Sequence, residues 1–192
     1  NATAFTGFDT NTFENKVYLG TYTNINVDMS LPKATYQVNG MFVNEGKTLT
    51  LAPGTVILFD VAKADHPTYF HIAGTLNAKG TDDDPIIFTS VADPTYSDQS
   101  TEGYWGALWG MQTGTMNLSH VNFKYCGAGS AANGTTYGVN DVPALKVSGK
   151  CNADHLTFMH IYGTAICLYS GTTASSFEYT SFIDIGKYNA VN

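Results

Sequence analysis

The chain has 192 residues, a formal net charge of −7 and 13% charged residues, about half the usual quarter. All 9 basic residues are lysine, so the bidentate arginine clamp is missing; with the negative net charge this argues against nucleic acid, polyphosphate and strongly anionic polysaccharide as partners and leaves a neutral or cationic partner, or none. No stretch is apolar for long enough to span a membrane, and Cys126, Cys151 and Cys167 lack metal-ligand spacing, reading as small thiols or as one disulfide plus a leftover thiol.

Residues 1–35 are rich in Asn, Thr and aromatic side chains and lie outside any clear repeat. They are expected to cap the first rung of a solenoid, whose end is otherwise an edge of unpaired backbone groups. Residues 36–192 carry the repeat. Lys47–Thr55 echoes Gly74–Thr81, which sets Leu49 and Leu51 beside Leu76 and Ala78. Five segments then align on Phe59, Phe88, Phe123, Phe158 and Phe182, with Ile57, Ile86, Val121, Leu156 and Thr180 two positions earlier. A period of two points both columns inward and leaves Leu58, Ile87, Asn122, Thr157 and Ser181 outside. A further register stacks Leu108, Leu145, Ile166 and Val191, with uneven spacings that imply insertions at 91–104 and 127–142. Asn117 and Asn152 fall at equivalent turn positions and suit a short asparagine ladder.

No long 3.6-residue apolar period is present, so the class is all-β. A β-sandwich would explain the strands but not the recurrence of the same columns in the same order. Stacked equivalent strands form a parallel coil. The final Ala190-Val191-Asn192 begins a rung and stops, so the chain is expected to be a trimmed module, or to have its last rung covered by another domain or subunit.

The run Gly46-Lys-Thr-Leu-Thr-Leu-Ala-Pro-Gly-Thr-Val-Ile-Leu-Phe59 resembles the opening of the pectate-lyase-like modules of bacterial secreted and surface proteins. So do Ile72–Thr81, Pro85–Ser90 and Trp105-Gly106, and the likeness spans roughly residues 36 to 186. It implies a right-handed parallel β-helix and a secreted or cell-surface setting, bacterial in origin. It implies no activity, because such modules occur in many unrelated surface proteins.

Three groups of side chains are candidates for function. Trp109, Lys146 and Cys167 share an outward column; Trp109 can stack on a sugar face beside the Lys146 donor, with Tyr104 and Trp105 extending the platform. The competing reading buries a tryptophan under an insertion. His120, His155 and Tyr179 form another column, with Asp154 and Glu178 one position earlier. Histidines at rung spacing can bind a metal, although surface histidines bonded to neighbouring turns are the favoured reading. Asp82-Asp83-Asp84 makes an oxygen-rich turn in which Asp82 and Asp84 could ligate Ca²⁺, but successive residues point different ways. The loop at Asp93, Asp98 and Glu102 is a weaker version of the same idea.

No cofactor is therefore expected, with Ca²⁺ as the one candidate. Catalysis is disfavoured. The lyases of this fold are expected to use a basic residue, often arginine, with calcium; glycoside hydrolases need two carboxyl groups at a set separation, and Asp141 and Asp154 are the nearest candidates. The leading expectation is a non-catalytic scaffold or adhesin-like module that binds a neutral glycan or a surface protein. A carbohydrate-active enzyme domain and a subunit assembling end to end are the alternatives.

Overall fold

The computed structural model describes residues 16–61, 68–96, 104–128, 142–169, 172 and 174–186. Among these there is no helix, and every strand pairing is parallel.

The strands come three to a coil. The first coil is β1 (Val17–Tyr18), β2 (Tyr22–Ile25) and β3 (Met29–Leu31); the second is β4 (Thr35–Val38), β5 (Gly40–Val43) and β6 (Thr48–Leu51). The third is β7 (Val56–Phe59), β8 (Tyr69–Ile72) and β9 (Thr75–Lys79). Next come β10 (Ile86–Ser90), β11 (Ala107–Gly110) and the long β12 (Thr115–Cys126), whose second half opens the following coil. β13 (Leu145–Val147), β14 (Lys150–Ile161), β15 (Ile166–Leu168), β16 (Ser176–Glu178) and β17 (Ser181–Ile185) follow as the remaining strands of the described residues. The middle strand of each coil joins a six-stranded sheet in the order β15-β13-β11-β8-β5-β2, and the outer strands form an eleven-stranded sheet. This is a parallel β-helix.

The interior is built from like residues on like rungs. Tyr36, Ile57, Phe88, Phe123, Phe158 and Phe182 are successive register partners. The Phe123 and Phe158 rings stack 4.8 Å apart at 8°, and Phe158 lies 5.5 Å from Phe182. Each such pair adds roughly 0.5–1.5 kcal/mol beyond its area burial. Leu49 pairs with Leu76 and Leu51 with Ala78, while Leu108, Leu145 and Ile166 stack in the six-stranded sheet. Val191 lies outside the described residues.

Three expectations need correction. β1, β2 and β3 pair with β4, β5 and β6, so residues 17–31 form a first coil rather than a cap, and the boundary at residue 35 falls between two coils. Residues 1–15 lie outside the described residues. Second, Phe59 pairs with Ser90 and it is Ile57 that faces Phe88; a slip of two residues keeps both inward, so alternation alone does not detect it. Third, the asparagine ladder sits within strands, not in a turn, and gains a member: Asn117 Nδ2 donates to Asn77 Oδ1 at 2.9 Å and Asn152 Nδ2 to Asn117 Oδ1 at 3.0 Å.

β12 and β14 turn a corner without a loop. His120, His155 and Tyr179 have φ of 50°, 49° and 47°, and Tyr125, His160 and Asp184 have 49°, 52° and 52°. The ladder pairs Ser119 with Asp154 and resumes at Val121 and Leu156. The left-handed residue between them leaves the ladder and throws its side chain outward. Histidine and aspartate are among the non-glycine residues enriched in this conformation.

Candidate functional site

The outward face of the six-stranded sheet carries one continuous column. Register sets Asn24 beside Phe42, Phe42 beside His71, His71 beside Trp109, Trp109 beside Lys146 and Lys146 beside Cys167. The inward partners Met41, Phe70, Leu108 and Leu145 are fully buried, which is what period-two alternation demands. Phe42 lies 5.8 Å from His71, and His71 lies 5.2 Å from Trp109. The Lys146 ammonium is 3.6 Å from the centre of the Trp109 ring and 4.6 Å from that of Tyr169, a cation–π contact with two rings.

Tyr22 and Tyr69 flank this column. A Cβ on Gly40 would come within 3.0 Å of the Tyr22 ring, and one on Gly106 within 3.0 Å of the Tyr69 ring. Both glycines thus leave room for a tyrosine to lie close to the sheet. Tyr69 meets His71 and Trp109 edge-on at 5.3 and 6.3 Å, and Tyr22 Oη is 3.4 Å from His71 Nδ1. Burial, and then the charge of Lys146, holds the His71 pKa below its ordinary value. Burial lowers that of Lys146 and raises those of Tyr22 and Tyr69. The strip is therefore aromatic, its tyrosines stay protonated at neutral pH, and its one cation is held against rings.

A polar cluster occupies the left-handed corner. The His120 and His155 rings are parallel within 4° and 4.4 Å apart, and Tyr179 stacks on His155 at 4.8 Å. Ser119 Oγ donates to Asp154 Oδ1 at 2.6 Å, and His155 Nδ1 lies 2.9 Å from the same oxygen. These bonds, Ser119 first, hold the Asp154 carboxyl below its usual range. A groove of about 480 Å³ runs past this cluster, lined also by Lys79, Asn117 and Glu178.

A family model described as pectate-lyase-like β-helix domain matches residues 20–155. The chain belongs to this family. The match begins inside the segment that the sequence alone assigns to a cap. No curated protein and no solved structure matches the chain.

Within this β-helix domain the residues singled out from sequence are distributed unevenly. Trp109 and Lys146 stand together on the outward column. Trp105 does not join them: it is fully buried, stacks on Phe59 at 4.2 Å and donates its indole N–H to the Lys124 carbonyl at 3.0 Å. Tyr104 goes to another cluster, 5.5 Å from Tyr162 and 6.2 Å from Tyr125. The Asp turn divides. Asp82 reaches His120 Nε2 at 3.1 Å, whereas Asp84 pairs with Lys33; the two carboxylates thus have different partners. Asp93 is buried and paired with Lys124 at 2.9 Å, while Asp98, Glu102 and Asp141 lie outside the described residues. Cys126 and Cys151 are buried free thiols, and Cys167 is a partly buried one.

Sequence reasoning missed Tyr22, Phe42, Tyr69 and His71. Their signal was present in the alternation of Gly40–Val43 and Tyr69–Ile72, where Met41 and Phe70 take the inward place of Leu108.

Proposed function

We propose that this β-helix domain is a non-catalytic, secreted or cell-surface module that lays the aromatic strip of its six-stranded sheet against a neutral glycan. The observation that carries the reading is the strip itself: Tyr22, Phe42, Tyr69, His71, Trp109 and Tyr169 on one face, with Lys146 the only charged residue of the Trp109 column. Such a face offers ring surface and hydroxyl donors at low conformational cost. Lys146 covers one face of the Trp109 ring and His71 lies tilted beside it, so a sugar meets the rest of the indole and the neighbouring tyrosines. No carboxylate stands in the Trp109 column, and glycoside hydrolysis needs a pair. The surface setting rests on the resemblance to modules of secreted and surface proteins.

A glycan array with the purified domain tests this, run beside Trp109→Ala and Tyr69→Ala with product release monitored. The expected result is binding without turnover, weakened at least about tenfold in each variant, the equivalent of ~1.4 kcal/mol. Reducing ends or unsaturated products would move the reading to a carbohydrate-active enzyme. Unchanged binding in both variants would remove the strip from it.

A second reading is favoured by the last of the described coils, where Leu168, Tyr179, Phe182 and Ile183 are exposed. There the domain stacks end to end on another subunit, and solution scattering would show length growing with concentration.

A further inference from the structure

The corner cluster has a defect in its hydrogen bonding that a proton count exposes. Ser119 has one hydroxyl proton, and the 2.6 Å contact to Asp154 uses it. His155 Nδ1, 2.9 Å from that same carboxylate oxygen, must donate as well. His120 Nε2 faces the Asp82 carboxylate at 3.1 Å and must also carry a proton. In the neutral imidazole this leaves His120 Nδ1 as a bare lone pair, 3.0 Å from a Ser119 oxygen whose only proton is pointed elsewhere. With that hydroxyl proton on Asp154, the His120 nitrogen and the Ser119 oxygen face each other with nothing to bridge them. The cluster sits between two carboxylates, in a chain of net charge −7.

We propose that His120, His155 and Asp154 bind a divalent transition-metal ion, with Zn²⁺ as the representative and Asp82 positioning His120 from behind. The three side chains each offer one ligand atom, and these lie within 4.8 Å of one another. Two imidazoles and one carboxylate form a borderline-soft set that suits zinc and its neighbours and is wrong for Ca²⁺, which takes six to eight oxygens. The Asp82 contact is the carboxylate–histidine pairing that fixes which nitrogen is free to ligate. Asp154 and His155 line the groove, and a set of three protein ligands leaves the fourth position open to water.

Binding requires local closure. A tetrahedral ion with bonds near 2.1 Å holds its ligand atoms about 3.4 Å apart, so the ligands must draw together and the parallel rings must tilt. His155 has room to do so, because its side chain is 45% exposed. On binding, the Nδ1 proton of His155 moves by way of solvent to Nε2, which frees Nδ1 to ligate, and the bare lone pair of His120 is filled.

The test uses metal-stripped protein without a histidine tag, titrated calorimetrically with ZnCl₂ and separately with CaCl₂. Asparagine tolerates the left-handed backbone of both corner positions, so His120→Asn and His155→Asn remove a ligand without imposing strain. The expected result is one Zn²⁺ per chain and no Ca²⁺ binding. Affinity should fall at least about tenfold in each corner variant and about tenfold in Asp82→Asn, while His160→Asn binds as the parent does. Imidazole ¹⁵N shifts of His120 and His155 should move on Zn²⁺ addition in the unaltered protein, which locates the site even if a variant folds poorly. Absence of Zn²⁺ binding, affinity retained in both corner variants, shifts confined to His71 or His160, or a preference for Ca²⁺ would each overturn the proposal.

Discussion

Replacing Asp93 by asparagine removes one charge from the most deeply placed ion pair among the described residues. The Asp93 side chain is 1% exposed and that of Lys124 is 17%. The carboxylate accepts from Lys124 Nζ at 2.9 Å, from Thr89 Oγ1 at 2.9 Å and from the Thr95 amide at 2.9 Å. Burial works to raise its pKa, but the Thr95 amide, Lys124 and Thr89 outweigh burial and hold the carboxyl below its usual range. Asparagine keeps the shape and the Thr95 bond but leaves the ammonium facing a neutral amide. Breaking a buried pair from one side costs about 3–5 kcal/mol, and the retained bond puts this case near the lower end, about 3 kcal/mol. At roughly 2–4 °C per kcal/mol for a chain of this size, the melting temperature falls by roughly 6–12 °C. Because the folded-state pKa is depressed, the stabilisation is present in full above the unfolded value of 3.8 and is lost as pH falls through the folded value. Urea unfolding followed by tryptophan fluorescence, at pH 7 and again well below the unfolded value, measures both quantities. The gap between parent and variant should narrow in acid, and adding Lys124→Met should recover part of the loss at pH 7 by removing the stranded cation. A variant within about 0.5 kcal/mol of the parent, or a gap independent of pH, would refute the reasoning.

Other consequences follow from the same geometry. A Cβ on Gly114 would lie 2.0 Å from the Ile72 carbonyl oxygen. Backbone cannot yield as a side chain does, so Gly114→Ala should cost at least about 3 kcal/mol in urea unfolding, whereas Gly46→Ala, at φ +70° with nothing within 4 Å, should cost about 1 kcal/mol. His71 should titrate below its ordinary value of 6.5 by proton NMR, and Lys146→Met should move its midpoint upward by removing the second cause. Stability linked to His71 is full above 6.5 and lost as pH falls through the folded midpoint; an unmoved midpoint in Lys146→Met would dismiss the coupling. Burial pushes the Cys151 thiol up to about 12 and Cys126 well above its ordinary value, so a thiol reagent should label Cys167 quickly and the other two only on unfolding.

The coil was legible because its ladders are chemical repeats. Leu49 over Leu76, Leu108 over Leu145 over Ile166, and Phe88 through Phe182 all read directly as columns. Ambiguity entered where period two permits a slip, as with Ile57 and Phe59, both inward and apolar. The first coil was taken for a cap because β1 to β3 are short and their inward residues Val17, Ile25 and Leu31 are too dispersed to declare a repeat. Trp105 and Trp109 differ for a physical reason: Trp109 lies within β11, where alternation aims it outward, whereas Trp105 precedes the strand at a corner where alternation does not apply. The corner cluster was half legible. The column of His120, His155 and Tyr179 follows from the repeat, but the arrival of Asp82 from the preceding coil depends on how the turn after β9 folds back.

The corners of the coil are where its chain length changes. β7, β10 and β12 belong to the eleven-stranded sheet and the strands that follow them, β8, β11 and β13, to the six-stranded one, on successive coils. Each connection leaves the strand on either side in register with its neighbours, so chain can be gained or lost there without disturbing the stack. The corner at His120 and His155 is filled by a single left-handed residue, whereas on the preceding coil residues 80–85 bridge the same gap between Lys79 and Ile86, and the ladder keeps its register on both sides. A lineage, or a designer, can thus lengthen either edge of the coil, but a stacked side-chain column such as that of His120 and His155 is written only where the corner is one residue long.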